Sequence, residues 1–551
     1  MATLVPAVSR HEIARSIYRD IVTGNDYYYV FTGKSLPWAD PDTPDVPVDV
    51  RRYLSEVHKN MLFVKRVAPG PNDVVFMIRR IDWTEGTVYT QYSDDVDLSE
   101  EDFYVITNEY NIYKCLDNNG GAPSTEMPTS TDGATSSTLR LPDGYVWKFM
   151  YQVPTLDRIR FMTKDEYFSE DPVDATGDIN YPYVPVRNVS DGVYFDVNGN
   201  LGTVNIVNGG VGYLDPRGKV LGDGNLPEET EISVVTDVNG VITNVVISGS
   251  HGGFTFAEIQ IRDGEDGTGP GVGFQGTISL DPETSNIINE DVVATTIPGA
   301  IYRVDVDTAG TQYTLGTTAT PVGNGTGVTF EVTVEDGNII AVDVTNPGQD
   351  YDYIDLNLST TLGTPGSVTA HVGPHGGHGS NIARELYANT LCISTTLKTD
   401  NPDLFVGNDF RQLGIVKNLN VVDDDSQYFS GDTGTGSHII AVSEANYAKF
   451  NIDDEIETDV TGIYKVVTKN IVTIASVAYH QIYLLYIKGS ESFTSSTSMT
   501  NITTGATGIT CINVTLPEFD KNSGTLVYLN NLSPISRSEQ QVETVKLFLH
   551  F

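Results

Sequence analysis

The side chains best placed to do chemistry crowd into one run of this chain, Ala370-His-Val-Gly-Pro-His-Gly-Gly-His-Gly-Ser-Asn381. It sets His371, His375 and His378 within eight residues, and three imidazoles form a candidate ligand set for Zn²⁺ or Fe²⁺. Neither a carboxylate nor a cysteine lies in the run, and its glycines and Pro374 dictate the backbone. The competing expectation is a tight turn whose histidines hydrogen-bond the backbone. Other chemical motifs are incomplete. Asp432-Thr433-Gly434 matches the triplet of aspartic proteases, which need an apolar strand before it and a second carboxylate about 3 Å away. Here Ser430-Gly431 precede it and no second such triplet occurs, so a turn aspartate is expected. Gly323-Asn-Gly325-Thr-Gly327 and Gly267-Thr-Gly269-Pro-Gly271 are followed by strand-like sequence, whereas a phosphate cradle needs a helix there. Asp196-Val-Asn-Gly-Asn-Leu-Gly202 puts Leu201 where a calcium loop needs Gly and Val207 where it needs Glu. GxSxG, HExxH and Walker motifs are absent. No catalytic residue and no cofactor is assigned, and a non-enzymatic protein is expected.

The elements around these residues read as mainly β. Ser9 and Glu12 fit a capping box, and Ile13, Ile17 and Ile21 recur every four residues, so a helix is expected at the N-terminus. A second is expected over Val48 to Asn60, with Val50, Leu54 and Val57 on one side. Short β-branched or aromatic runs follow at Met61–Val67, Val74–Ile78, Thr87–Tyr92 and Phe103–Ile106. Residues 118–138 read as a long surface loop. From 195 to 371 the composition shifts to 24 Asp and Glu against 4 Lys and Arg. Within that stretch Ile206–Tyr213 parallels Val306–Tyr313, and Asn239–Ile247 parallels Asp336–Val344. Each copy closes with an aromatic, Phe254 or Tyr351, and a short strand, Ile259–Ile261 or Leu356–Leu358. Asn-Gly and Asp-Gly between alternating runs signal hairpins, so the stretch reads as a duplicated all-β unit. Residues 440–515 read as a second small all-β insertion. Strands are expected at Gly524–Leu529 and Val542–Phe551. The expected organisation is a discontinuous β-sandwich-like body (1–194, 372–439 and 516–551) with two short N-terminal helices and inserted all-β domains at 195–371 and 440–515.

Composition narrows the function. The 551 residues carry 73 acidic against 33 basic side chains, a net charge of −40. Such a chain repels nucleic acid and anionic lipid, and basic residues do not cluster with aromatics. No nucleic-acid and no membrane partner is expected. The greasiest stretch, Ile471–Ile487, is interrupted by Thr473, Ser476, His480 and Gln481 and is shorter than the about 20 apolar residues of a spanning helix. Met1–His11 lacks the pattern of a signal peptide. Cys115, Cys392 and Cys511 are too few and too scattered for a disulfide scaffold or a CxxC zinc site. Trp38, Trp83, Trp147 and Tyr145 are expected in the core or at an interface.

Several segments also carry a resemblance. Ser16–Val22 and Tyr28–Trp38, then Ile78-Arg-Arg-Ile-Asp-Trp83, Ile112-Tyr-Lys-Cys-Leu-Asp117 and Asp143-Gly-Tyr-Val-Trp-Lys-Phe-Met-Tyr151, occur in that order. Gly376–Asn381 with Glu385-Leu386, Phe410–Val416, Tyr528–Ile535, Gln541 and Val545–Phe551 continue the series. Together they resemble the small dimeric baseplate wedge proteins of contractile-tailed, T-even-like bacteriophages, over about residues 9–190, 372–430 and 520–551. The two insertions depart from the short form of that family. The resemblance implies a structural role in the virion: a homodimer made in the host cytoplasm, joined to other baseplate wedge proteins around the tail hub, and part of the rearrangement that triggers sheath contraction. The competing readings are a tail fibre or spike-like adhesin that binds host glycan, and a polysaccharide-degrading enzyme with a carboxylate pair. If the body rather than the acidic insertion makes the dimer, replacing residues 200–368 with a short Gly-Ser linker leaves a folded dimer. Sedimentation of the deletion variant checks this, and a folded monomer contradicts it.

Overall fold

The computed structural model describes residues 6–24, 26–34, 36–68, 73–131, 138–154, 157–162, 182–188, 197–222, 226, 230–249, 257–264, 269–282, 292–293, 295–359, 363–397, 409–422, 424–474, 477–536 and 543–551. Asp196, Phe254, Gln541 and Val542 lie outside them. About half the chain is strand and about a tenth is helix, in several antiparallel sheets with no barrel among the described residues. The fold is mainly β, as its sequence reads. The chain divides into two units: Met1–Glu12, Phe76–Thr390 and Phe551 form one, and Ile13–Val75 with Leu391–His550 form the other. No helix among the described residues is long and apolar enough to cross a membrane.

Both helices differ in detail from expectation. Helix α1 runs Ala7–Thr23, so Ser9 lies inside it rather than capping it. The chain turns helical directly after Pro6, whose carbonyl accepts from Ser9 N and Arg10 N. Its buried face is His11, Ala14, Tyr18 and Ile21, while Ile13 is half exposed. Spacings of three and four residues place that set on one stripe, which Ile13 and Ile17 do not share. Helix α2 covers only Arg51–Lys59, with an extended Val50 as its N-cap. Val48 and Val50 stay exposed, and Val57 is its buried residue.

Two sheets make up much of the second unit. One orders strands Thr433–Thr435, Met61–Arg66, Tyr28–Gly33, Asp409–Lys417 and Thr525–Ser536. The other has seven strands, all drawn from residues 438–515, with the long hairpin Ile463–Ile474 and Val477–Lys488 at its centre. Leu62, Phe410 and Ile535 of the first sheet pack against Val467, Tyr483 and Leu485 of the second. Two antiparallel sheets thus bury one face each against the other.

In the first unit, strands Tyr104–Ile106, Asn111–Asp117, Val146–Gln152 and Leu139–Arg140 form one sheet. Tyr89, Tyr113, Tyr145, Trp147 and Phe149 fill its core. Thr87–Tyr92, expected as a strand, is irregular. Isolated backbone bonds and side chains hold it together: Thr90 N donates to Asp102 O and Tyr92 N to Cys115 O, the Tyr145 hydroxyl accepts from Tyr89 N at 3.3 Å, and Asn118 Nδ2 donates to Tyr89 O at 3.0 Å. Its aromatic content reflects burial in this core, not sheet pairing.

The acidic stretch contains two modules of the same plan. Residues 197–282 hold six strands, the first paired with the sixth, the second with the fifth and the third with the fourth. Residues 301–372 repeat that order and pairing. Each module is therefore three two-stranded ribbons packed on apolar side chains: Val204, Val220, Ile242 and Ile259 in the first, and two clusters in the second, one with Val304, Ala319, Ile339 and Leu356 and one with Ile301, Val328, Tyr351 and Val372. The duplication also goes further than its sequence shows. A Gly-x-x-Tyr corner occurs at Gly210–Tyr213 and Gly310–Tyr313, and again at Gly348–Tyr351. The three glycines have φ of 64°, 64° and 63°. The residues two further on, Gly212, Gln312 and Asp350, are also in the left-handed region. Each tyrosine N–H donates to a glycine carbonyl, of Gly240, Gly337 and Gly299, at 3.0, 3.0 and 3.2 Å. Register confirms the equivalence: Val272↔Val211, Phe274↔Gly209, Gln275↔Asn208 and Gly276↔Ile206 match Thr326↔Gln349, Val328↔Pro347, Thr329↔Asn346 and Phe330↔Val344, bulge included.

A Cβ at Gly310 or Gly348 would meet the ring of Tyr313 or Tyr351 as well as backbone atoms, whereas one at Gly316 (φ 94°) would meet nothing. Gly310→Ala and Gly348→Ala are each expected to cost about 2–4 kcal/mol, against about 1 kcal/mol for Gly316→Ala, which carries the backbone strain alone. Denaturant titration of the three variants checks this, and equal losses would discard the tyrosine-on-glycine account.

Candidate functional site

The expected histidine turn is present, and it scatters its three imidazoles. His371 ends the strand Ser367–Val372, His375 is exposed, and His378 is covered by the rings of Tyr92 and Tyr302, both edge-on to it. Among the described residues, the group of potential ligand atoms that lie within 4.8 Å of one another joins His371 to Asp94 and Asp95, not to its sister histidines. The turn is as tight as Pro374 and the glycines imply: Gly377 N donates to Pro374 O at 2.7 Å, and Gly377 itself has φ 86°. Its histidines, however, do not bond the backbone.

His371 sits between two carboxylates. Its Nδ1 is 2.8 Å from Asp94 Oδ1 and its Nε2 is 3.0 Å from Asp305 Oδ2. With an acceptor on each side, both ring nitrogens act as donors and the ring carries a positive charge. Burial alone would lower its pKa, but the hydrogen bonds to Asp305 and Asp94 outweigh this and raise it to about 9. Asp305 is likewise subject to burial, which the bonds from His371 and Arg303 overcome, bringing it down to about 2. An imidazolium has no lone pair for a metal, so His371 in this state is a bridge and not a ligand. Arg303 extends the bridge. It chelates Asp305 through Nε and Nη2, and its Nη1 donates to Tyr92 O and Leu116 O at 2.8 and 2.7 Å. Val372 N donates to Asp94 Oδ2, and the Tyr302 hydroxyl to Tyr92 O. These bonds anchor the first and last strands of the 301–372 module to the segment 92–94 and to the end of strand Asn111–Asp117. A cleft of about 330 Å³ opens beside them, with Ser93, Asp95, Arg303, Asp305, Thr369 and His371 among its walls.

Beneath the turn lies a second polar cluster. Lys114 is fully buried and pairs with Glu385. Glu385 Oε1 also accepts from Gly379 N at 2.8 Å and Asn381 N at 3.3 Å. Asn381 caps the short helix Ile382–Glu385 by accepting from Arg384 N, and Asn188 holds Asn381 in turn. His378 Nδ1 is 3.9 Å from Glu385. Burial, then the nearby Lys114 and Lys148 charges, hold its pKa well below the usual range, so it is neutral. Lys148 is pushed down to about 8 by burial and by Lys114.

The remaining motifs are structural in their surroundings. Asp432 is exposed and pairs with Lys65, and Thr433–Thr435 is a strand beside Lys65–Phe63. Gly323–Gly327 joins two strands of the second module, as a turn should. Trp147 and Tyr145 stack in the core. Trp38 is buried and donates to Leu532 O at 2.8 Å, and Trp83 is half-buried and donates to Ser124 Oγ at 3.1 Å. Asp94, Arg303 and Asp305 escaped the sequence reading because Asp94 lies 277 residues from His371 and Asp305 lies 66.

The bridge has a pH signature. A group whose pKa is raised by folding stabilises fully below its unfolded value, here 6.5, and loses that contribution as pH rises through about 9. Wild-type stability is therefore expected to fall by about 1–3 kcal/mol between pH 6 and pH 10 from this group. His371→Gln should be less stable at pH 6 and should lack that part of the alkaline loss. Denaturation of both proteins across this range checks it, and parallel profiles would refute the charged bridge.

Comparison with known proteins follows the sequence resemblance at a distance. No family model matches the chain, and no solved structure matches it. The baseplate wedge protein gp8 of Enterobacteria phage T4 is 25% identical over 191 residues, covering 27% of this chain and 55% of that protein. The match spans about half the length of that relative. The chain is thus distantly similar to a phage baseplate wedge protein, the kind of relative its ordered motifs indicate.

Proposed function

We propose that this chain is a structural component of a phage tail baseplate wedge. It assembles as a homodimer with other wedge proteins around the tail hub, and it takes part in the rearrangement that triggers sheath contraction. The observation that carries the reading is the distant similarity to the phage T4 baseplate wedge protein, together with the collinear motifs that run from Ser16–Val22 to Val545–Phe551. The physical features support it. Large aromatic side chains, Trp147, Tyr113, Tyr145, Phe31 and Phe63 among them, are spent on rigid internal cores. The acidic modules add a negative field that discourages non-specific association while the chain is free.

Gold-conjugated antibody against this chain, applied to intact purified phage particles, tests the reading by electron microscopy. Label confined to the end of a contractile tail is expected. Label along distal fibres would replace the reading with a glycan-binding adhesin. Protein found only in the lysate would remove it from the virion altogether and return attention to enzymatic carboxylate pairs.

A further inference from the structure

The equivalence of the three Gly-x-x-Tyr corners gives a control that a single module would lack. Around the first corner stand Val207, Val211, Leu214 and Val272, exposed by 67, 60, 82 and 62%. Val211 and Val272 face each other across the strand pair. The equivalent positions at Tyr351 are Thr345, Gln349, Asp352 and Thr326, and at Tyr313 they are Asp307, Thr311, Thr314 and Thr364, all exposed. One backbone design therefore tolerates polar residues at these four sites twice and carries four apolar ones once. The fold does not require them. Leu315 and Tyr353 are exposed singly beside the other corners, which is ordinary for a surface. Near the first corner the apolar surface continues: Val238, wholly exposed, belongs to the turn whose Asn239 carbonyl accepts from Gly212 N.

Charge identifies the occupant. Residues 197–282 carry 11 acidic and 3 basic side chains, and Asp237, together with Asp215 in its pair with Arg217, is exposed at the edge of this patch. A second copy of the module would bring the same negative surface against it, which association disfavours. An anionic membrane would be repelled equally. We propose that the first module's corner docks another protein, on a surface whose apolar centre is ringed by Lys and Arg. The valines and Leu214 supply the desolvated centre of that interface, and the acidic rim supplies steering and selectivity. This inference stands apart from the baseplate reading, because it names the chemistry of the partner and not the particle.

Photo-crosslinking tests it in the full chain, in the cells that make it. A benzophenone amino acid is placed at Val211 or, as the matched control, at Gln349, and adducts are identified by mass spectrometry after irradiation. Val211 is expected to give about tenfold more adduct than Gln349, on a different protein, at a site that combines apolar residues with Lys or Arg. Moving the probe to Val238 allows a second arm. The combined variant Val207→Thr, Val211→Gln, Leu214→Asp and Val272→Thr takes residues that the same fold already accepts at the Tyr351 corner, so it should unfold at the wild-type temperature while its adduct falls about tenfold. Adducts on a second copy of this chain, on an acidic site, on lipid or on glycan would overturn the proposal. So would equal yields from the two positions, or no adduct.

Discussion

A lysine with no access to water must be neutralised from within, and the first unit is organised around that demand at Lys114. Removing an ammonium from water costs several kcal/mol unless an opposite charge and further hydrogen bonds compensate. Glu385 supplies the charge, and its second oxygen is then available to gather Gly379 N and Asn381 N. One carboxylate thus fixes the strand Asn111–Asp117, the glycine turn and the helix Ile382–Glu385 together. An aromatic ring covers this pair: Tyr92 lies over the Lys114 ammonium, and His378, 3.9 Å from Glu385, packs against Tyr92 and Tyr302. Because Tyr92 also accepts from Arg303 and Tyr302, the buried pair and the charged His371 bridge share a wall. The two clusters use opposite devices. His371 is kept positive by flanking carboxylates, and His378, seven residues on, is kept neutral by burial.

That contrast shows why three close histidines need not make a metal site. Ligands must converge on a point, and convergence is decided by backbone direction rather than by spacing. Here Val372 is still in a strand, Gly377 and Gly379 take left-handed φ, and His371 faces Asp94 and Asp305 while His378 lies between the rings of Tyr92 and Tyr302. The glycines that mark the run as unusual are the residues that separate its side chains. Their close approach to neighbours, Gly377 against the Ile297 backbone and Gly379 against the Val292 side chain, leaves no room for a Cβ.

Much of the fold could be read from sequence because its signals are local. Short β-branched and aromatic runs give strands such as Met61–Arg66 and Val74–Arg79, and Asp336-Gly337, both in the left-handed region, forms the tight turn that its composition implies. Helix α2 begins later than expected because the stretch before it stays extended, and α1 shows a different face because His11, Ala14 and Tyr18 join Ile21 on its buried side in place of Ile13 and Ile17. The third Gly-x-x-Tyr corner went unseen since Asn346-Pro-Gly-Gln-Asp-Tyr351 shares only the glycine, the tyrosine and a leading asparagine with Asn208–Tyr213. Backbone sign and one inter-strand hydrogen bond define the corner, and neither leaves a strong trace in residue type. The charged bridge was out of reach for another reason: its members are joined only by tertiary folding.

The pairing of first with last strand in each module has a consequence for how such a chain changes length. Val197–Val211 lies beside Val272–Pro282, and Ile301–Thr308 beside Ser367–Val372, so each module receives and returns the chain at neighbouring positions. To the surrounding chain a folded module is equivalent to a short bridge between points about 5 Å apart, whatever it encloses. The entropy of closing a loop of that many disordered residues is replaced by the module's own internal stability. A gene can therefore gain or lose one such cassette without re-registering the sheets on either side, and two cassettes in tandem are what repeated use of a single tolerant insertion point would leave behind.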